Sequence, residues 1–389
     1  MRNFKYYNPT KIVFGKETIS RLDSLVPRDA RVLILYGGNS AEKTGTLDEV
    51  RSALVNRTVN RTVQEFGGIE ANPTYETLMK AVELIRNSEV NFLLAVGGGS
   101  VIDGTKFVAA AVNFAGEPWR ILEEGGSLVQ SALPFGTVLT LPATGSEMNS
   151  SSVITNKAKQ AKRDFMSPFV FPQFSIMDPT KTYTLPLRQV ANGVVDAFAH
   201  IMEQYLTYPA NGMVQDRFAE GLLQILIEIG PQAINASDNY EIRSNLMWVA
   251  TLALNGLIGA GVPQDWSTHY IGHELTALYG IDHARTLAII LPATLKICRE
   301  SKRAKLLQYG ERVWGITSGD EEQRIDQAIA YTRGFFEDLG IQTHLSDYNL
   351  GVDDIDRVVK QLEAHGLTQL GENRDITLDI SRQILQASL

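Results

Sequence analysis

Hydrophobic and polar positions follow one pattern in the first half of the chain and another in the second. In the first half, short apolar runs alternate with segments of helical spacing, an order typical of an α/β domain built on a parallel sheet. The predicted strands occupy residues 31–36, 63–66, 91–96, 137–141 and 174–177. The predicted helices begin near residue 46, span residues 75–87, and run from the glycines at 97–99 to residue 111.

From residue 187 onward, helical periodicity dominates and strand signals nearly vanish. The predicted helices cover residues 190–205, 216–229, 241–257, 267–279, 302–314, 321–339 and 355–364. A chain of 389 residues is also long enough for two domains. We therefore expect an α/β domain at residues 1–186 and an all-helical domain at residues 187–389, with the boundary near Pro186.

Composition and charge narrow the class of protein. With 44% hydrophobic and 21% charged residues, the chain can bury a core and is neither disordered nor fibrous. Its net charge of -8 makes nucleic acid or an anionic membrane surface an unexpected partner. The single cysteine, Cys298, cannot form an internal disulfide and fits a reducing, cytoplasmic location. The first residues contain no apolar stretch of the signal-peptide or membrane-spanning kind, so we expect neither.

The main chemical pattern is a set of histidines and one carboxylate in the second half. Asp196 and His200 are four residues apart, His269 and His273 repeat that spacing, and His283 follows a turn. Residues four apart share one face of a helix, so such pairs can converge on a single ion. One carboxylate with neutral imidazoles suits zinc or iron(II), and a catalytic site keeps one position for a substrate oxygen.

The alternative is that these are ordinary helix histidines, two packed and two solvated. Four of the six histidines in the chain fall in this one stretch, and two pairs with a fifth candidate favour a metal site. A metalloprotease is disfavoured, because Glu274 lies outside the pair formed by His269 and His273.

A second pattern follows the predicted strand 91–96. The strand is followed by Gly97, Gly98, Gly99 and Ser100. Glycines let a backbone approach a ligand closely, and Ser100 can cap the next helix, whose free N–H groups favour an anion such as pyrophosphate. The stretch is not G-x-G-x-x-G, because Ile102 occupies the place of the last glycine. Glycines required only by packing between strand and helix remain the alternative.

Two further segments extend this interpretation. The first predicted strand is followed by Gly37, Gly38, Asn39 and Ser40. An NAD site commonly places an acid against the ribose 2′-hydroxyl, whereas Asn39 and Ser40 can donate hydrogen bonds and Lys43 is close, which favours NADP. A plain loop is the alternative, and Glu42 weakens the charge argument. Residues 140–147 are rich in hydroxyls and small side chains, so they can line a nicotinamide pocket or form a well-capped loop.

Long stretches of the chain closely resemble the group III, or iron-containing, alcohol dehydrogenases, and within them the bacterial NADPH-dependent aldehyde reductase and butanol dehydrogenase branch. The matching stretches are FGK at 14–16, GGGSVIDGTK at 97–106, LPATGSE at 141–147, LPLRQVANGVVDAFAH at 185–200, GAGVPQDW at 259–266, GHELTALYGIDHA at 272–284, and the C-terminal THLSDY and TQLGEN. The resemblance implies a dehydroquinate synthase-like fold. It combines a Rossmann-like dinucleotide-binding domain, an all-helical metal-binding domain and an active site in the cleft between them, and a homodimer is common among related enzymes.

The resemblance also implies a role for each candidate residue. The metal ligands of the family fall on Asp196, His200, His269 and His283. His273 becomes a residue beside the nicotinamide that does not bind the metal and is a candidate proton relay. Either zinc or iron(II) is acceptable to this set of ligands, and zinc is favoured.

The remaining positions match cofactor contacts of the family. The loop from Gly97 to Ser100 takes the pyrophosphate, and Asp103 lies near the ribose and the nicotinamide. Thr140 and Thr144 fall in the nicotinamide region, and Lys162 matches a ribose-contacting lysine. The sequence departs from its relatives in two places. Asn39 stands where close relatives often have glycine, and Ala284 and Arg285 follow His283 where much of the family has His-Gly, which can reshape the mouth of the pocket.

The expected activity is reversible hydride transfer between NADPH and short- to medium-chain aldehydes of the butanal type, with a metal that polarises the carbonyl. Three alternatives stay open. One is an NAD- and metal-dependent lyase of the dehydroquinate synthase type, which would need many basic residues for its polyanionic substrate. Another is a polyol dehydrogenase acting on glycerol or lactaldehyde. The third is an inactive binding protein on the same scaffold, which would be expected to lose metal ligands.

Overall fold

A computed structural model of the chain describes residues 1–38, 40–55 and 60–389, which form two compact units. The sheet unit comprises Tyr7–Pro186 and Ala236–Thr251. The helical unit comprises Met1–Tyr6, Leu187–Asn235 and Leu252–Leu389. The two units are therefore interleaved in sequence, because the first six residues belong to the helical unit and a later helix lies mostly in the sheet unit.

The continuous part of the sheet unit, Tyr7–Pro186, contains eight strands and six α-helices among its described residues. The strands are β1 (Lys11–Phe14), β2 (Arg31–Tyr36), β3 (Thr62–Phe66), β4 (Phe92–Gly98), β5 (Phe135–Leu141), β6 (Ser151–Asn156), β7 (Ala161–Met166) and β8 (Phe174–Met177). The helices of its continuous part are α1 (Leu22–Leu25), α2 (Ser40–Lys43), α3 (Thr46–Leu54), α4 (Tyr75–Arg86), α5 (Gly99–Ala111) and α6 (Arg120–Glu123). Strands β6 and β7 form an antiparallel hairpin, whereas the other strands pair in parallel in the order β1-β8-β5-β4-β2-β3.

The strand order marks one place at the carboxyl edge of the sheet as a candidate ligand site. Strand β2 pairs with β3 on one side and β4 on the other, with Tyr36 opposite Val96. The order of the strands thus reverses between β2 and β4. Ligands of open parallel sheets bind beyond the carboxyl ends of the strands at such a reversal. The segment beginning at Gly37 and the loop beginning at Gly97 therefore lie side by side at this edge.

The sheet is covered on both faces, as the nearly continuous apolar sequence of β2 predicts. Leu33 and Leu35 join a core with residues of α4 and α5, and Val32 and Ile34 join a second core with residues of α3. These two cores hold the carboxyl ends of β2 and β4 in fixed positions.

The structure confirms the predicted α/β class and the five predicted strands. It also corrects one detail: Ser100 does not cap α5, because the helix begins one residue earlier, at Gly99, and Gly98 is its N-cap. The Ser100 hydroxyl instead accepts a hydrogen bond of 3.3 Å from the Asn72 N–H. The patterns did not predict β1 or the hairpin of β6 and β7.

The remaining helices belong to the helical unit, except α9, which lies mostly in the sheet unit. The helices are α7 (Leu187–Tyr205), α8 (Met213–Asn235), α9 (Tyr240–Ala253), α10 (Ser267–Tyr279), α11 (His283–Ile297), α12 (Arg299–Trp314), α13 (Glu321–Asp338), α14 (Val352–Ala364) and α15 (Leu378–Gln386). Two short strands, β9 (Gln369–Leu370) and β10 (Ile376–Thr377), pair in an antiparallel way. Helix α7 packs on α8 and α11, and α10 packs on α11 and α14. Across the described ranges, no helix combines the length and apolar character needed to cross a membrane.

Candidate metal centre and nucleotide-binding residues

Three of the predicted metal ligands converge in the helical unit. Each of Asp196, His200 and His269 offers one ligand atom, and these atoms all lie within 4.8 Å of one another. Asp196 and His200 are one turn apart on α7, and His269 lies in the first turn of α10. All three side chains are buried, and the His200 and His269 rings stack with their centres 4.8 Å apart.

His283, the first residue of α11, adds a fourth donor at the same carboxylate oxygen. Its Nε2 lies 3.7 Å from Asp196 Oδ1, and the Nε2 of His200 lies 3.8 Å from that oxygen. Two ligands that are each about 2.1 Å from one ion at a tetrahedral angle lie about 3.4 Å apart. The observed separations are slightly wider than this, too long for hydrogen bonds and suited to a shared ion.

The carboxylate itself supports this interpretation. Asp196 Oδ1 is buried and has no hydrogen-bond partner among the described residues. A buried carboxylate oxygen without a partner is strongly unfavourable unless a cation neutralises it. The four side chains therefore fit a divalent transition metal, as the mixture of carboxylate and imidazole donors predicts.

Glu203, which the sequence patterns did not single out, orients one ligand. It lies on α7 one turn beyond His200 and is buried. One of its oxygens accepts a 3.2 Å hydrogen bond from the His269 backbone N–H, and the other contacts His269 Nδ1. A proton held on Nδ1 leaves the lone pair on Nε2, which is the usual arrangement of a metal-binding histidine with a carboxylate partner. Burial raises the pKa of Glu203 well above its ordinary value, and the positive charge of a metal bound at His269 would oppose this effect and favour the carboxylate.

The surroundings keep the imidazole of His200 neutral. Burial lowers the pKa of His200 to about 4, so at pH 7 this ring carries the lone pair that metal binding requires. The Trp266 ring stands beside the cluster, with its centre 5.2 Å from that of His269 and 6.3 Å from that of His200. This indole helps to exclude water from the donors.

His273 lies beside the cluster and is not among the three residues whose ligand atoms converge. It is buried on α10, with its ring centre 5.1 Å from that of His283 and 6.2 Å from that of His269. The next residue in sequence, Glu274, forms a hydrogen bond of 2.7 Å between its carboxyl group and Nδ1 of His365, at the end of α14. Glu274 is thus part of the packing between α10 and α14.

In the sheet unit, three successive glycines lie at the end of β4 and the start of α5. A Cβ at Gly97 would overlap Val101, and a Cβ at Gly99 would overlap the Thr144 side chain. Packing within the protein therefore accounts for these two glycines, as the steric alternative proposed. Gly98 is also closely packed, since a Cβ there would lie 3.0 Å from Leu141 Cβ. It caps α5 without any side-chain hydrogen bond, and the first turn of that helix contains no acidic residue. This helix end has the electrostatic character of an anion site.

Lys162 reaches the same loop through Asn72, a residue that the sequence patterns missed. The Lys162 Nζ donates a 3.0 Å hydrogen bond to the Asn72 side chain, and the Asn72 N–H donates to the Ser100 hydroxyl. Asn72 has a left-handed backbone conformation with φ of 56°, which asparagine tolerates better than most residues. The structure thus brings Lys162 and Ser100 together beside the start of α5.

Asp103 is held firmly inside the sheet unit. Its two oxygens accept hydrogen bonds from the Ser146 hydroxyl at 2.5 Å and from the Val153 N–H at 3.0 Å. Lys106, one turn along α5, is fully buried, and burial lowers its pKa to about 8. Asp103 therefore connects α5 to residues near Thr144, whose hydroxyl accepts a 3.2 Å hydrogen bond from the Ser146 N–H.

The other predicted cofactor residues lie at the same edge of the sheet. Thr140 is partly exposed near the carboxyl end of β5, and Gly37 and Gly38 follow β2. A Cβ at Gly38 would meet no described atom within 4 Å, so this position is open. Ser40 is exposed at the start of α2. Asn39 lies outside the described residues.

Family models match both halves of the chain. Residues 9–179 match the model described as iron-containing alcohol dehydrogenase, and residues 190–388 match the model of the C-terminal part of the Fe-containing alcohol dehydrogenase family. These matches confirm the family that the sequence motifs indicated.

Individual relatives match over the full length. The chain is 60% identical to the NADPH-dependent aldehyde reductase YqhD of Escherichia coli (strain K12) and 40% identical to the probable NADH-dependent butanol dehydrogenase 1 of Bacillus subtilis (strain 168), with 100% of each chain covered in both cases. The crystal structure of E. coli K-12 YqhD aligns with a TM-score of 0.98 at 59% identity and covers 100% of this chain and 99% of that one. The protein therefore belongs to the iron-containing alcohol dehydrogenase family, whose members are metal-dependent alcohol and aldehyde oxidoreductases.

Proposed function

We propose that the protein is an NADPH-dependent aldehyde reductase that interconverts short- to medium-chain aldehydes, such as butanal, and their alcohols. The observation that carries this proposal is the convergence of Asp196, His200 and His269 on one point in a chain similar throughout to an aldehyde reductase. An inactive binding protein would not be expected to retain these donors. The donors in turn define the chemistry available to the substrate.

The proposed metal ligands are Asp196, His200, His269 and His283. When bound, a divalent ion polarises the carbonyl oxygen of the aldehyde and stabilises the negative charge that develops on it. Glu203 keeps the His269 lone pair directed at the ion, and Trp266 limits the access of water. The donor set accepts iron(II), which the family name specifies, and zinc, which we expect here; elemental analysis of the purified protein distinguishes the two.

The proposed nucleotide-binding residues lie in the sheet unit. NADPH supplies the hydride, and the protein binds and orients it. The first turn of α5 suits the pyrophosphate, and Lys162 with Asp103 and the threonines at 140 and 144 supply contacts toward the ribose and the nicotinamide. The segment from Gly37 to Ser40 contains no carboxylate that would repel a 2′-phosphate, which favours NADPH over NADH. One relative is named for NADPH and the other for NADH, so this preference needs its own measurement.

His273 is the proposed proton relay. Its imidazole lies beside that of His283 and is not one of the proposed ligands, so it can hold and release a proton. In this role it delivers a proton to the oxygen of the reduced substrate.

A substrate panel tests the proposed function. Purified protein with measured metal content is mixed with NADPH or NADH and with butanal, shorter and longer aldehydes, dihydroxyacetone, lactaldehyde or no substrate, and nucleotide oxidation is followed by absorbance. We expect NADPH oxidation that depends on the aldehyde and is faster with butanal than with the hydroxylated carbonyls. A preference for the hydroxylated substrates would indicate a polyol dehydrogenase, and oxidation that does not depend on aldehyde would contradict the reductase.

We also propose that the enzyme acts as a homodimer in the cytoplasm. Strand β1 is one edge of the described sheet, and near it the rings of Phe14 and Trp248, 39% and 38% exposed, meet edge to face at 6.2 Å. These rings and Ile12 help to line a groove of about 230 Å³ that a second copy can cover. Sedimentation velocity tests this proposal against a monomer of 42.9 kDa.

A further inference from the structure

A buried network of three charged side chains lies in the helical unit next to the proposed metal ligands. Lys302, on α12, places its Nζ 2.9 Å from Asp265 Oδ2 and 3.0 Å from both oxygens of Glu372. All three side chains are no more than 4% exposed. Burial of one cation between two carboxylates is favourable only where geometry and hydrogen bonds are well satisfied, so this arrangement is structurally demanding.

Lys302 also binds the end of the helix that carries two metal ligands. Its ammonium group donates a 2.8 Å hydrogen bond to the carbonyl of Leu206, the residue that follows α7. One lysine thus holds the end of α7 and the segment that precedes α10. Burial lowers the pKa of Lys302, but Asp265 and Glu372 outweigh this effect and raise it, so the side chain stays charged.

Asp265 connects Lys302 to the segment that carries His269. Its Oδ1 accepts a 2.9 Å hydrogen bond from the N–H of Ser267, the first residue of α10, and its own N–H donates a 2.8 Å hydrogen bond to the carbonyl of Glu203. Glu203 in turn contacts His269 through both carboxylate oxygens. Asp265 therefore fixes the start of α10 against α7 only four residues before the ligand.

We propose that Lys302, bridged to Asp265 and Glu372, is a positioning residue for the metal centre. Lys302 sets the alignment of His269 by fixing the start of α10 to the end of α7. The proposal rests on the metal centre of the proposed function and adds a residue of α12 that touches none of the ligands. Such residues tune a metal site through the partners of its ligands.

The test compares Lys302→Met with a matched control, Lys305→Met. Lys305 lies one turn further along α12 and is 4% exposed, against 2% for Lys302. It forms an ion pair of 2.6 Å, but its partner is Asp216 on α8. Both variants lose a buried ammonium group on the same helix, which has two carboxylate partners at position 302 and one at position 305. Only the loss at position 302 breaks the connection to α10.

Two quantities are measured on each full-length variant: the zinc dissociation constant, by competition with a chromophoric chelator, and the visible absorption spectrum of the cobalt(II)-substituted protein, which reports the geometry of coordination. For Lys302→Met we expect about a tenfold weaker zinc affinity, the low end of the effect of outer-shell changes, together with an altered cobalt spectrum. For Lys305→Met we expect a lower melting temperature with the wild-type affinity and spectrum.

An unchanged affinity and spectrum in Lys302→Met would overturn the proposal, and so would equal changes in both variants, since these would indicate a general loss of stability. If Lys302→Met does not fold, Asp265→Asn decides. Asparagine keeps an oxygen for the Ser267 N–H and loses the charge facing Lys302, so an altered cobalt spectrum supports the proposal and a wild-type spectrum contradicts it. Failure of the wild-type protein to bind either metal would instead contradict the proposed function itself.

Discussion

Replacing Glu203 by glutamine should weaken metal binding without removing any ligand. Glu203 accepts from the His269 backbone N–H at 3.2 Å and contacts Nδ1 of the same ring. Glutamine can keep the first hydrogen bond, but its NH₂ group then faces a protonated Nδ1. The variant thus loses one hydrogen bond to a charged group and favours the wrong imidazole tautomer.

The size of the effect follows from that single lost contact. A hydrogen bond to a charged group contributes about 1.5–3 kcal/mol. Because about 1.4 kcal/mol corresponds to a factor of ten in a dissociation constant, the zinc affinity of Glu203→Gln should fall about 10- to 100-fold. This range agrees with the roughly 10- to 100-fold effects measured for outer-shell partners of metal ligands in other proteins.

The assay is chelator competition at fixed pH and ionic strength, with Glu274→Gln as the matched control. Glu274 is a buried carboxylate on α10 that makes the same kind of hydrogen bond, 2.7 Å to Nδ1 of His365, which lies away from the converging donors. The control should lose stability and keep its zinc affinity within about twofold, well below the effect of an outer-shell partner. Equal affinities for Glu203→Gln and the wild type would refute the orienting role, and so would an equal loss in the control.

Three further predictions concern the ligands, the nucleotide and the cysteine. His269→Ala should abolish both metal binding and turnover and retain NADPH binding, which is followed by fluorescence titration. His273→Ala should lower kcat with metal content unchanged. Loss of metal in both variants would contradict the separation of a ligand, His269, from a proton relay, His273. Asn39→Asp should shift the ratio of kcat/KM toward NADH, whereas Asn39→Ser should keep the preference for NADPH, and unchanged kinetics for Asn39→Asp would rule out the proposed 2′-phosphate contact. Burial raises the pKa of the Cys298 thiol to about 12, against a reference value of 9.0, so at pH 8 the folded protein should react with Ellman's reagent about 10³-fold more slowly than the unfolded chain; comparable rates would contradict the burial.

Helical spacing predicted that Asp196 and His200 share one face of α7, and the structure brings both together with His269. The separation of four proposed ligands from His273 came only from the resemblance to the family. Glu203 lies three residues beyond His200 on the same helix, yet it was missed. A glutamate near a ligand pair cannot be distinguished from a surface residue until its partner, 66 positions away, is placed in space. Lys302 was missed for the same reason, since its sequence neighbourhood resembles that of Lys305.

Three of the elements that were not predicted, helix α11 and strands β6 and β7, lack a polar face or a clean alternation. Helix α11 is buried along most of its length and contains Pro292, so no amphipathic period marks it. The hairpin strands β6 and β7 contain polar and charged residues at positions where a period of two would require apolar ones. In both cases tertiary packing, and not local pattern, decides the structure.

The three glycines at residues 97–99 could be predicted as a motif, but their individual contacts could not. Three successive glycines indicated close approach of a phosphate, whereas the structure assigns Gly97 and Gly99 to contacts with Val101 and Thr144. The anion-binding interpretation now rests on the start of α5, where no side chain caps the free N–H groups, and on Lys162, which is linked to Ser100 through Asn72. Neither connection is visible in the sequence, because Lys162 and Asn72 are 90 residues apart.

The central claim is that NADPH-dependent aldehyde reduction requires one metal ion held by Asp196, His200, His269 and His283. The most direct measurement strips the protein of metal with a chelator, returns zinc or iron(II) in graded amounts, and determines bound metal and the rate of butanal reduction on the same samples. The account predicts a rate that rises in proportion to bound metal from near zero and stops rising at about one ion per chain. A full rate in the stripped protein, or a rate unrelated to bound metal, would contradict it.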